Sequence, residues 1–138
     1  MQDEIYMARA LKLAARGRFT THPNPNVGCV IVKDGHIVGE GFHYRAGEPH
    51  AEVHALRMAG EKAKGATAYV TLEPCPMCAG AIVNARIPAV YYGAKDDKAG
   101  CCGSVLNLFE ERFNHHPRIY GRVLEAECAA LLQEFFQS

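Results

Sequence analysis

The chain has 138 residues, with fifteen basic and fifteen acidic side chains and a formal net charge of zero. That length fits one domain able to bury a core without staples, and the charge balance argues against a strong, non-specific hold on a polyanion. No apolar run approaches the roughly 20 residues a bilayer span needs, and no apolar leader opens the chain, so the six cysteines point to a reducing cytoplasm rather than a disulfide framework. Lys62, Lys64, Arg86, Lys95, Lys98, Arg112, Arg118 and Arg122 are scattered and read as a solvated, mixed-sign surface.

Residues Asp3 to Arg16 carry apolar side chains at Ile5, Ala8, Leu11 and Ala15 or nearby, a helical period that predicts a first helix with one buried face and Gly17 as its stop. Two prolines make Thr21 to Asn26 a rigid loop, followed by a strand over Val27 to Val32. Asp34-Gly35 is a hairpin signal, with Ile37 to His43 as the return strand. His50 to Gly60 has helical spacing, Ala68 to Leu72 reads as a strand, and Pro76 opens a helix running to about Asn84. Val90 to Gly93 is a fourth strand, Lys95 to Ser104 a loop, and Gly121 to Phe136 a last helix buried through Val123, Leu124, Cys128, Leu131, Leu132 and Phe135. This order predicts an α/β domain with helices on both faces of a mixed sheet.

Two short motifs carry the chemistry: His50-Ala51-Glu52 and Pro74-Cys75-Pro76-Met77-Cys78. One imidazole and two thiolates make a three-ligand zinc set that leaves the fourth tetrahedral position to water, the mark of a catalytic rather than a structural site. Zinc brings the pKa of bound water towards neutrality, and Glu52, not needed as a ligand, is free to shuttle protons. Cys75 and Cys78 flank a helix amino terminus, which favours thiolate over thiol. The pattern H-x-E with P-C-x-x-C is the signature of zinc-dependent nucleobase deaminases.

A rival reading pairs His54 with His50 at i and i+4, closing a two-Cys, two-His structural site with no catalysis. A peptidase is disfavoured because H-E-x-x-H needs glutamate where Ala51 stands. Cys101-Cys102 reads as loop packing rather than a second metal or redox pair, Cys29 and Cys128 as buried core thiols, and His115-His116 as a solvated turn. Asn24 could contact a base or ribose, or cap its turn.

Nearly the whole chain resembles the cytidine deaminase-like superfamily, and the resemblance is split. Up to about Pro74, through Thr21-His22-Pro23-Asn24-Pro25-Asn26-Val27-Gly28-Cys29 and Gly47-Glu48-Pro49-His50-Ala51-Glu52, it resembles the deaminase domain of the bifunctional riboflavin biosynthesis proteins. From Cys75-Pro76-Met77-Cys78-Ala79-Gly80-Ala81, through Tyr92-Gly93-Ala94-Lys95-Asp96 and Glu127 to Leu132, it resembles the bacterial tRNA-specific adenosine deaminases. Only Pro76-Met77 separates the cysteines, where the riboflavin type carries a longer insertion, and the reductase domain of one type and the basic tail of the other are not in the sequence. A chimera joined near residues 74–75 is the simplest reading, and a natural intermediate the alternative.

The resemblance implies a three-layer fold with a five-stranded mixed sheet whose last strand runs parallel to its predecessor. It implies one catalytic Zn²⁺ on His50, Cys75 and Cys78, with Glu52 as proton shuttle. The riboflavin-type half implies substrate contacts at Asn24, His43, Ala46 and Gly47, and the tRNA-type half at Lys95 and Asp96. The expected activity is hydrolytic deamination of a riboflavin-pathway pyrimidine nucleotide with release of ammonia. The alternatives are adenosine or cytosine in RNA or single-stranded nucleic acid, or a zinc-bearing scaffold with little activity. A homodimer is expected, and no membrane role.

Overall fold

The computed structural model describes residues 2–16, 26–43, 49–96, 100–105, 107–110 and 115–137, with side chains as far as 133. Helix α1 (Gln2–Arg16) precedes a hairpin of β1 (Gly28–Lys33) and β2 (His36–Phe42), then α2 (Ala51–Ala59), β3 (Thr67–Leu72), α3 (Pro76–Asn84), β4 (Ala89–Ala94), β5 (Arg118–Tyr120) and α4 (Glu125–Gln137). Single 3-10 turns follow α2 at Gly60–Ala63 and precede β5 at Leu108–Glu110. The sheet order is β2-β1-β3-β4-β5; β1 is antiparallel to β2 and β3, while β4 lies parallel to β3 and β5 parallel to β4. The five-stranded mixed sheet and its parallel last strand are as expected.

The hairpin turns where the sequence places it, because Asp34 (φ 52°) and Gly35 (φ 78°) both adopt the left-handed conformations a two-residue turn needs. One core, facing α2 and α3, contains Ile31, Val70, Ile82, Ile87 and Val90 with a run of alanines. The other, facing α1 and α4, contains Met7, Leu13, Val30, Tyr69 and Cys128. Helix α2 lies almost on the backbone of β2. A Cβ at Gly39 would stand 2.2 Å from the Ala55 carbonyl oxygen and one at Gly41 2.3 Å from that of Ala51, and the stripe Ala51, Ala55, Ala59 faces these bare positions. This close approach fixes where the amino terminus of α2 points.

Three expectations need correction. In α1 the buried residues are Met7, Ala10, Leu13 and Ala14, while Ile5 is 66% exposed and Ala15 is exposed. The period is right and the phase wrong, because α1 packs on the bare backbone of Gly28, where an added Cβ would meet the Ala10 oxygen at 1.9 Å, and small residues must face it. The last helix begins at Glu125 rather than Gly121, because Arg122 (φ 68°) and Leu124 (φ 52°) are left-handed and cannot belong to a helix. Of its expected stripe Cys128 is buried and Val123, Leu124, Leu131 and Leu132 are half-buried, while the Phe135 side chain lies outside the described residues. Finally, His115 is held rather than solvated, with Nε2 2.7 Å from the Ile87 carbonyl oxygen.

Candidate active site

Two helix amino termini converge at one point. His50 is the N-cap of α2 (φ −67°, ψ 163°) and Cys75 the N-cap of α3 (φ −76°, ψ 173°), with Pro76 in the first turn. Their carbonyls begin the helices: His50 accepts from the Val53 and His54 amides at 3.0 and 3.2 Å, and Cys75 from the Ala79 amide at 2.9 Å. Neither side chain caps its own helix. Imidazole and thiol are therefore free to face each other, in the positive field of both helix ends.

His50 Nδ1 lies 3.7 Å from Cys75 Sγ and 3.3 Å from Cys78 Sγ, and the three donor atoms fall within 4.8 Å of one another. A tetrahedral zinc with ordinary Zn–N and Zn–S bonds separates nitrogen from sulfur by about 3.6 Å, so both nitrogen–sulfur distances suit that ion. His54 is outside the cluster, which among the described residues consists of His50, Cys75 and Cys78. The closed two-Cys, two-His arrangement does not form.

Glu52 stands in the first turn of α2 and is 4% exposed. Burial pushes its carboxyl up to about 7; the charge of Cys75 adds to the rise and His50 opposes it. Hydrogen bonding from Cys78 draws the Cys75 thiol down to about 5, while the same contact, followed by burial, pushes Cys78 up. The contact thus favours loss of the first proton from Cys75, and a bound metal would draw off the second.

His43 is buried at the end of β2, its ring edge-to-face with His50 at 5.6 Å and its Nδ1 3.3 Å from the Pro49 carbonyl oxygen. It therefore braces the residue before the imidazole ligand. Lys95 is exposed and Asp96 half-buried just past β4. Asn24, Ala46 and Gly47 lie outside the described residues. Cys101 and Cys102 are buried at 2% and 4% exposure, as are Cys29 and Cys128 at 1%, and none of the six cysteines forms a disulfide. Burial raises the Cys101 and Cys102 thiols, consistent with packing.

The residue that sequence reasoning missed is Glu73. It is 2% exposed, and its carboxylate accepts from the backbone amides of Asp96, Cys102 and Ser104 at 3.2, 3.0 and 3.0 Å, and from the Ser104 hydroxyl. The available signal was a carboxylate between a buried strand and the cysteine motif, with no cation nearby in sequence.

Comparison with known proteins agrees with this geometry. Residues 1–94 match the family described as the cytidine and deoxycytidylate deaminase zinc-binding region. The riboflavin biosynthesis protein RibD of Escherichia coli is 71% identical over 117 residues, covering 80% of this chain and 32% of that protein. The tRNA-specific adenosine deaminase of Bacillus subtilis is 41% identical over 146 aligned residues, covering 99% of this chain and 89% of that protein. Among solved structures, RibD of Acinetobacter baumannii superposes with a TM-score of 0.87 at 45% identity, covering 99% of this chain and 39% of that one. The chain thus spans about a third of the Escherichia coli protein's length but most of the Bacillus subtilis one. Among the described residues, no helix is long and apolar enough to cross a membrane. With its sheet order, its paired helix amino termini and two thirds of its length matched, the chain belongs to the cytidine and deoxycytidylate deaminase family.

Proposed function

We propose that this chain is a single, cytoplasmic zinc-dependent deaminase domain that replaces the exocyclic amino group of a pyrimidine ribonucleotide by oxygen, consuming water and releasing ammonia. The observation that carries this reading is a buried Glu52 beside a cluster of three metal-type donors. His50, Cys75 and Cys78 hold the zinc. Once bound, the ion supplies a Lewis acid that makes water acidic enough to attack at neutral pH. Glu52 takes the proton from the attacking water and returns it to the departing nitrogen. A carboxyl held at about 7 suits both transfers. The two helix amino termini stabilise the negative charge gathered on the sulfurs.

His43 orients the Pro49-His50 peptide and, with Asn24, Ala46 and Gly47, contacts ring and ribose phosphate, and Lys95 and Asp96 are further substrate contacts. A small pyrimidine nucleotide is favoured by the high identity to RibD and by the zero net charge, which gives no broad hold on RNA. The second reading, adenosine in tRNA or a cytosine in single-stranded nucleic acid, is supported by the relative from Bacillus subtilis, which matches 99% of the chain. The mixed likeness also supports a junction near residues 74–75, although the alignment with the Escherichia coli protein, at 117 residues, is longer than the segment before it. Helix α3 presents Met77, 56% exposed, and Gly80, where an added Cβ would meet nothing, along its outer face, and we place a homodimer contact there.

Ammonia release by zinc-quantified protein, on the diaminopyrimidine ribonucleotide and on an anticodon stem-loop with adenosine at the wobble position, tests the reading, with Glu52→Ala as control. Glu52-dependent turnover of the pyrimidine is the expected result. Turnover of the RNA alone gives the specificity to the carboxy-terminal half, and silence on both with one zinc bound leaves a folded scaffold. Light scattering at working concentration reads the dimer, and a monomer overturns that contact.

A further inference from the structure

The turn at residues 100–104 is built around one buried carboxylate. Glu73 accepts hydrogen bonds from the amides of Asp96, Cys102 and Ser104 and from the Ser104 hydroxyl. Its own amide donates to the Ala94 carbonyl at 2.9 Å, tying it to the end of β4. Gly100 lies flat against the carboxylate, where a Cβ would fall 2.4 Å from Glu73 Cδ and 2.5 Å from the Asp96 carbonyl oxygen. One residue on, the Pro74 carbonyl accepts from the Cys101 amide at 2.9 Å, so the same turn is fastened to the peptide that precedes Cys75. Cys101 and Cys102 then pack with Ala79 and Ile82 of α3 in the core beneath the cluster.

A buried carboxylate held by several N–H donors is costly to disturb, because a donor left unpaired in a dry site loses its hydrogen bond without gaining one to water. The Pro74 carbonyl, next to Cys75, and the Asp96 amide are thereby both tied to the group of atoms around Glu73. We propose that Glu73 is a positioning residue: without touching metal or substrate, it fixes the 100–104 turn and Asp96 against the zinc-binding peptide and so sets the width of the substrate slot. The effect on substrate rests on the proposed deaminase reading, whereas the anchoring of the turn does not.

Glu73→Gln keeps the volume but offers an NH₂ to groups that are themselves donors, and Gly100→Ala leaves Glu73 in place while forcing the turn off it. Both holoproteins are compared with wild type in zinc content, in labelling of Cys101 and Cys102 mapped by peptide mass spectrometry, and in kinetics on whichever of the two substrates the wild type turns over. The expected result is one zinc per chain, labelling of both thiols faster by about tenfold or more, and KM raised roughly tenfold with kcat within about threefold. A purely structural role would lower the melting temperature and leave KM and labelling of the folded protein unchanged, and that result overturns the proposal, as does loss of zinc in both variants. Labelling needs no substrate, so silence on both substrates defeats the proposed function while Cys101 and Cys102 still decide whether Glu73 holds the turn.

Discussion

On the α1/α4 face of the sheet, Tyr69, Tyr91 and Tyr120 stand in cross-strand register and stack at centroid distances of 4.9 and 4.6 Å, with Tyr6 of α1 added at 5.3 Å. The α2/α3 face carries an alanine-rich core, with His50 and Glu52 at the start of α2 and Glu73, Cys75 and Cys78 between the end of β3 and the first turn of α3. The aromatic face satisfies its polar atoms pairwise: the Tyr69 hydroxyl donates to Asp3 Oδ1 at 2.6 Å, and burial followed by that contact holds the phenol well above its usual range. The other face buries the Glu52 carboxyl near the thiols of Cys75 and Cys78. The groups suited to chemistry gather on one side of the sheet, where burial opposes the charged form of Glu52.

The largest test of this division is Glu52→Gln. Removing the proton shuttle should lower turnover by about 10²- to 10⁴-fold, yet the melting temperature should hold or rise, since burial disfavours the carboxylate that the amide replaces. Single-turnover kinetics beside thermal melts would read both, and a fall in stability with activity retained would reverse the roles of the faces. A Gly41→Val change acts on the same face through packing alone. The added Cβ alone meets the Ala51 carbonyl and His54 Cβ, so α2 must lift, with a loss of about 1–3 kcal/mol and a zinc content well below one per chain. Chemical denaturation and metal analysis check the two halves of that expectation. Across the sheet, Tyr69→Phe removes the bond to Asp3 and should cost about 1 kcal/mol without changing KM or kcat, which equilibrium unfolding and steady-state kinetics can separate.

What the sequence discloses follows the range of the interactions involved. The two metal motifs are legible because each is a short run at a helix start, where proline, cap position and ligand spacing are all local. The hairpin is legible for the same reason, in Asp34-Gly35. The phase of α1 is not, because it is set by the missing Cβ of Gly28, a contact between distant segments. Strand β5 has three residues and one half-buried side chain, Ile119, so it carries no alternation of its own and exists by pairing with β4. Glu73 is hidden for the most physical of reasons: its donors stand 23, 29 and 31 residues further along the chain, and no local pattern distinguishes a buried acceptor from a solvated one.

The smallest effect should come from the rim, where Arg9 of α1 reaches Glu40 of β2 through two hydrogen bonds, Nε to Oε2 at 2.6 Å and Nη2 to Oε1 at 3.1 Å. The pair is partly exposed, with side chains 35% and 24% accessible, so solvent screening holds its worth to about 1 kcal/mol or less. Bonding to Arg9 lowers the Glu40 carboxyl below its ordinary value. A lowered carboxyl contributes stability that is complete above the unfolded pKa, about 4.3, and is lost as pH falls through the lower folded value. Glu40→Gln should therefore match wild type at strongly acidic pH and fall short of it by that fraction of a kilocalorie from about pH 5 upwards, a gap that added salt should narrow. Melts across pH with and without salt would show it; a gap that opened only in acid would mean that the fold does not hold the pair in its charged form, as it fails to do for the buried Glu52 of the α2/α3 face.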